Sequence, residues 1–127
     1  MKAEELKYSK DHIWVHTDGN SATIGLSDYA QNELGDIVFV EMPDAGKSFK
    51  KGEAIGTVES VKSVSDILSP VSGEITDTNK LLEDTPETIN KDPYGEGWIV
   101  RMNLSNKGEI DELFDYNAYV EFTESQA

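Results

Sequence analysis

Short runs of valine, isoleucine, phenylalanine and threonine alternate along this chain with glycine, proline, asparagine and aspartate, at intervals typical of an all-β barrel or sandwich. That punctuation predicts strands over 12–16, 22–25, 37–40, 54–58, 61–69, 73–78 and 98–103. Asp18-Gly19-Asn20 closes the first hairpin, and Pro43-Asp44-Ala45-Gly46 fits a turn after the third strand. Helix is the minority element. Ser27 to Gly35 carries a capping serine, an acid in the first turn and a glycine where a helix stops. Thr85-Pro86-Glu87 starts a shorter helix with proline at its first position. After Gly108, Ile110, Leu113 and Phe114 share one face, and Glu109, Asp111 and Glu112 lie near the positive end. An amphipathic C-terminal helix over about 109–120 packing on the barrel is the expectation.

With 127 residues, the chain fits a single domain, 1–127, able to bury its own core. It holds 25 Asp plus Glu against 11 Lys plus Arg, a formal net charge of −14. A nucleic-acid backbone would repel such a surface, whereas a basic protein surface would match it. With no cysteine, any sulfur redox chemistry must come from an added group. MKAEELKYSKD has neither the apolar core of a signal peptide nor the arginine-rich character of a transit peptide, and no apolar run approaches a membrane span. These features read as a soluble protein, of the bacterial cytoplasm or already processed. Gly35-Asp36-Ile37-Val38 and Gly73-Glu74-Ile75-Thr76 echo one another and flank the stretch VESVKSVSD, residues 58–66.

That stretch places one cation, Lys62, among valines, serines and acids. Val58, Val61 and Val64 recur at a spacing that suits helix or strand, but β-branching, with Gly56 before and Pro70 and Gly73 after, favours strand, tight turn, strand. Lys62 then lies at or near an exposed tip. A surface lysine there is either a solubilising residue or a reactive amine: lysine is the side chain whose amine, on a flexible four-carbon stem, can be acylated into a long neutral arm.

Glu59-Ser60-Val61-Lys62-Ser63, then Ser65-Asp66, Ser69-Pro70-Val71-Ser72-Gly73-Glu74-Ile75 and Asn79, strongly resemble the lipoyl-attachment region of the glycine cleavage system H protein family. Tyr8-Ser9, His12, Trp14, Ala22-Thr23-Ile24-Gly25, Ala30-Gln31 and Leu34 to Pro43 resemble the family's N-terminal half in order, and Ile89-Asn90, Pro93-Tyr94 and Gly97-Trp98 its C-terminal half. Biotin-carrying domains usually set methionines around the modified lysine, and lipoyl domains of 2-oxoacid dehydrogenases set Asp before it and Ala after; here the neighbours are Val61 and Ser63.

The resemblance implies a mainly β fold, a barrel-sandwich hybrid of two hammerhead-like halves with short helices and a C-terminal helix. It implies a carrier and not an enzyme: lipoate amide-linked to Lys62 takes the aminomethyl group of glycine from the glycine decarboxylase (P protein) to the aminomethyltransferase (T protein). Electrons then pass to dihydrolipoyl dehydrogenase (L protein), and a lipoylating enzyme loads the lysine. Shuttling of this kind suits a monomer. The loaded arm of the family folds into a cleft, and Ser65 and Asp66 stand at the matching positions. The other reading of Asp66 is a hairpin-side acid in solvent. Glu59 is either a recognition element for the lipoylating enzyme or plain surface charge.

One departure concerns the family's common His-Glu-Trp, which is His12-Ile13-Trp14 here, so that isoleucine replaces an acid of the cleft. Asp11 or another nearby carboxylate would compensate, or the load is held less tightly. His12 and Trp14 read as packing residues. Ile37, Phe39 and Trp98 read as core, and Tyr94 and Gly97 as loop and turn. His12 and His16 read as strand residues with no third ligand for a metal. The competing readings are a lipoyl relay supplying 2-oxoacid dehydrogenase complexes, an unmodified binding module, and an enzyme. The last lacks a nucleophile elbow, a phosphate loop and a cysteine nucleophile.

Overall fold

The structure, a computed structural model, describes residues 2–126. Its strands are β1 (Lys7–Tyr8), β2 (Ile13–Asp18), β3 (Ser21–Leu26), β4 (Ile37–Glu41), β5 (Ser48–Phe49), β6 (Ala54–Ser60), β7 (Val64–Leu68), β8 (Gly73–Thr78) and β9 (Val100–Leu104). The helices are α1 (Asp28–Leu34), α2 (Leu81–Asp84), α3 (Thr88–Lys91) and α4 (Tyr116–Gln126), with 3₁₀ turns at Ala3–Glu5 and Lys107–Glu112. Every strand pairing is antiparallel, in a six-stranded sheet of order β1-β2-β3-β9-β8-β5 and a three-stranded sheet of order β4-β6-β7. This is the mainly β architecture expected, with two sheets, short helices and a C-terminal helix.

Local chemistry accounts for the first hairpin. Asp18 pairs with Ser21 across a two-residue loop, and Gly19 adopts φ +62° at its first position, where a type II′ turn needs a residue without Cβ. From there the sheets face each other. Val15, Ile24, Ile75 and Met102 of the larger sheet and Ile37, Val40, Val58 and Ile67 of the smaller one form one buried cluster, and its removal from water is the main stabilising term.

A second, aromatic cluster closes one end. Leu6, Tyr8, Trp14 and Tyr119 are buried, with Tyr94, Trp98, Phe114, Tyr116 and Phe122 packed around them. Tyr8 and Tyr119 stack at 4.3 Å and 5°. The indole of Trp14 donates to the Pro93 carbonyl at 2.8 Å and lies over Gly25, its cross-strand partner. A Cβ at position 25 would fall 2.7 Å from the indole Cε2 and Nε1, so glycine is required there.

Several expectations change. Phe39, expected in the core, is exposed: a bulge between Ile37 and Phe39 turns Val38 and Phe39 outward while Ile37 and Val40 stay buried. The C-terminal helix expected over about 109–120 is instead a 3₁₀ turn and then α4. Leu113 is extended because Tyr8 and Phe114 exchange backbone hydrogen bonds at 2.8 Å, and Asp115 then caps the new helix at the Ala118 N–H, 2.8 Å away. His12 stands before β2, not in it, with φ +68°. The two-residue strands β1 and β5 carry too little pattern to be read from sequence.

Two outcomes follow from this packing. Gly25→Ala should lower unfolding stability by about 1–3 kcal/mol through overpacking, measured by urea titration; an unchanged midpoint would contradict the Trp14 contact. Burial pushes the Tyr119 phenol up to about 12 and raises Tyr8 and Tyr94 as well. The fold therefore favours the neutral phenols, and that contribution is complete below the unfolded value of about 10. It is lost as pH rises through about 12. Urea midpoints should stay level on approaching pH 10 and fall above it, less steeply in Tyr119→Phe.

Candidate functional site

Strands β6 and β7 are joined by three residues, Val61, Lys62 and Ser63, all exposed. Ser60 builds the turn. Its N–H donates to the Ser63 carbonyl at 2.8 Å, and its hydroxyl oxygen accepts from the N–H groups of Lys62 and Ser63, each at 3.2 Å. A serine oxygen thus takes the place of backbone acceptors in a tight turn, and Lys62 stands at its apex.

The apex is anchored to the end of α1. Val61 N–H donates to the Asp36 carbonyl at 3.0 Å. The Lys62 stem runs over Gly35: a Cβ there would lie 3.4 Å from Lys62 Cε and 3.8 Å from Nζ. Gly35 has φ +80° and ends α1, so the ammonium lies near a helix C-terminus, where a cation is favoured. Beneath it, Asn90 of α3 donates to the Gly35 carbonyl (2.9 Å) and Gln31 Oε1 (3.0 Å) and accepts from Ile37 N–H (2.9 Å). One amide holds the end of α1 and the start of β4 in a fixed relation.

Along the same helix runs a cleft of about 300 Å³. Ile13, Leu26, Ala30, Leu34 and Val58 form its apolar lining, and Asp11, Glu33 and Asp66 supply carboxylates. Ser65 and Asp66 both border it from β7, an edge strand. Register separates them: Ser65 pairs with buried Val58 on the inner row, whereas Asp66 pairs with Thr57 on the outer row. Asp66 therefore stands at the rim and also borders a second groove on the outer face. Leu34 lines the cleft and Gly35 touches the lysine stem, so Lys62 lies at the cleft's α1 end.

The opposite wall is locked from behind. His12, which also lines the cleft, shares a 2.7 Å hydrogen bond through Nδ1 with the Tyr119 hydroxyl. That hydroxyl lies 2.7 Å from Ser27 Oγ, and Ser27 caps α1 by accepting from Ala30 N–H at 3.1 Å. The Tyr94 hydroxyl accepts a second N-terminal donor of α1, Asp28 N–H, at 2.9 Å. Helix α1 is thus satisfied at its first turn by Ser27 and Tyr94 and at its last by Asn90.

Of the residues singled out from sequence, the structure brings Ser65, Asp66, Asp11 and Ile13 to one cleft and Lys62 to its end, while Glu59 lies on the outer face beside the turn. Trp14 and Ile37 are buried and Trp98 is partly buried, with Arg101 stacked 4.1 Å from its ring. Sequence reasoning read Tyr94 only as a loop residue and gave no role to Asn90, Tyr119 or Glu33. An asparagine between an apolar Ile89 and a charged Lys91 carries no local mark of three distant partners. Among the described residues, no cluster of three or more His, Cys, Asp or Glu is placed to hold a metal, and no helix is long and apolar enough to cross a membrane.

Comparison with known proteins places the chain as a whole. The profile of the glycine cleavage H-protein family matches residues 6–126. Glycine cleavage system H proteins of Symbiobacterium thermophilum and Thermus thermophilus are each 51% identical, over 94% of this chain and 93% and 94% of theirs. That of Herpetosiphon aurantiacus is 58% identical over 80% of this chain and 78% of its own. The crystal structure of a glycine cleavage system H protein from Mycobacterium marinum superposes with a TM-score of 0.84 at 34% identity, covering 97% of both chains. A likeness that runs through sequence and backbone alike, over nearly the full length, means that this chain belongs to the glycine cleavage H-protein family.

Proposed function

We propose that this chain carries lipoate in amide linkage to Lys62 and serves the glycine cleavage system of a bacterial cytoplasm as its mobile carrier. Its partners are then the glycine decarboxylase, the aminomethyltransferase, dihydrolipoyl dehydrogenase and a lipoylating enzyme. The observation that carries the reading is an exposed lysine at the apex of a serine-built turn, at the end of an apolar cleft with carboxylates among its lining.

The residues fit the group. Cleft walls of Ile13, Leu26, Ala30, Leu34 and Val58 suit an aliphatic arm, and the volume is at the lower end of small-molecule clefts, about 300–1,000 Å³. Lipoate bound to Lys62 supplies what a chain without cysteine lacks, a sulfur acceptor for the aminomethyl group of glycine and a two-electron couple. The chain's own residues do the rest. The apolar walls exclude water from whatever the arm brings in. Asp66 at the rim, with Asp11 and Glu33 across the cleft, pairs with a protonated amine at the arm's end, and the Ser65 hydroxyl offers a hydrogen bond. Ile13 is 1% exposed, a site where an unpaired carboxylate would be costly. The cationic load is held by these rim acids, and Asp11 is the nearest in sequence to the missing one. Glu59 presents a charge beside the turn to the lipoylating enzyme.

Intact mass and peptide mapping of the protein from lipoate-replete cells should place one lipoyl group on Lys62; unmodified Lys62 would sink the carrier reading. Lys62→Arg keeps the charge and should abolish both loading and glycine–bicarbonate exchange with the decarboxylase. For the cleft, Asp66→Asn and Asp11→Asn should each shorten the lifetime of the loaded arm by roughly two- to fivefold, the worth of a partly exposed ion pair. Equal lifetimes for both variants and the parent would remove the rim acids from the mechanism.

A further inference from the structure

The outer face of the β4-β6-β7 sheet is unusual for an acidic chain. Phe39 of β4, Glu59 of β6 and Val64 of β7 lie side by side in register. Their inward neighbours Val40, Val58 and Ser65 form the next row, so the three share the outer face. Phe39 is 49% exposed and Val64 62%, while Val38 in the bulge is 54% and Val61 in the turn 67%. These are four of the five large apolar side chains exposed among the described residues, and Val61 and Val64 lie within two residues of Lys62 in the chain. Scattered apolar residues need no explanation, but a row that a bulge turns outward beside a reactive amine does.

We infer that Phe39, Val61 and Val64, with Glu59 between them, form the docking surface for the enzyme that acylates Lys62, whose matching face is apolar with a cation opposite Glu59. This rests on the reading of Lys62 as the acylated residue. Acylation joins Nζ to the carbonyl of an activated acyl donor such as an acyl adenylate; the nucleotide leaves, and the amine loses a proton. The amine sits on a four-carbon stem, so that active site must close over the turn itself and cover the side chains flanking it. An enzyme that meets the distal end of a finished arm has no such need. Charge supplies the second argument. The surface is apolar at Phe39, Val61 and Val64, and Glu59 sits in the middle of a chain of net charge −14, which suits a basic partner and a steered encounter.

The test uses the full chain before loading and a purified lipoate-attaching enzyme with its acyl donor. Phe39→Ser and Val64→Ser change exposed side chains and should leave the urea midpoint in place. Each should lower kcat/KM for Lys62 acylation about tenfold, through KM, as loss of an apolar anchor at an interface does. Titrating the enzyme with the unreactive Lys62→Arg chain gives a readout independent of turnover: adding Phe39→Ser should weaken Kd by the same factor. Glu59→Gln should flatten the salt dependence of kcat/KM. If the parent chain neither binds the enzyme nor gains acyl mass, the reading of Lys62 fails and the docking surface goes with it. If the parent is loaded normally and both serine variants are loaded at its rate, the docking surface alone is overturned. Self-association of the unloaded chain that Phe39→Ser abolishes, with loading unchanged, would assign the row to a second copy and equally overturn it.

Discussion

Three hydrogen bonds from a single side-chain amide decide where the lysine stands. Asn90 joins the Gly35 carbonyl, the Gln31 side chain and the Ile37 N–H, and each belongs to a different requirement. The first is an orphan carbonyl at the end of α1, the second a buried glutamine that also donates to Asp28 at 2.8 Å, the third the opening N–H of β4. Because Val61 N–H bonds the Asp36 carbonyl between these points, the turn carrying Lys62 inherits its position from α3 through Asn90. The cleft follows from the same junction, since α1 is one of its walls.

The smaller sheet works with both faces, and the bulge in β4 is what separates them. Without it, strict alternation would bury Phe39 along with Ile37. With it, Ile37 and Val40 both reach the core and two successive residues, Val38 and Phe39, turn out. The inner face thus lines the cleft through Val58 and Ser65, while the outer face carries an apolar row past the turn. On the proposed reading, one side of these three strands shelters the load and the other meets the acylating enzyme.

Helix α4 has more than a packing role in this arrangement. Its Tyr119 stacks on Tyr8, and its hydroxyl lies within hydrogen-bond distance of both His12 and Ser27. The first residue lines the cleft and the second caps the helix that walls it. Burial in the aromatic cluster keeps that phenol protonated up to about pH 12. The split between the Lys107–Glu112 turn and α4 makes this possible, since the extended Leu113 and the Tyr8–Phe114 bonds set the angle at which the helix returns.

Much was legible in the amino-acid sequence because it depends on neighbours in the chain. The β-branched runs, Gly19, the Ser27 cap and the Gly35 stop each act within a few residues, and so does the pressure that makes VESVKSVSD a strand, a turn and a strand with its lysine at the apex. The ordered motifs around Lys62 were enough to suggest the family. What stayed hidden depends on residues far apart: the outward turn of Phe39 on pairing with β6, the late start of α4 on Tyr8 more than a hundred positions earlier, the roles of Asn90 and Tyr94 on α1. Sequence determined which lysine stands alone in the 58–66 stretch and which segments extend, because residue identity and local sterics are written in the chain itself. Only the tertiary structure decided that the amine ends beside a sheltered cleft with carboxylates at hand, because hydrogen bonds and burial between distant segments exist only after the sheets have closed.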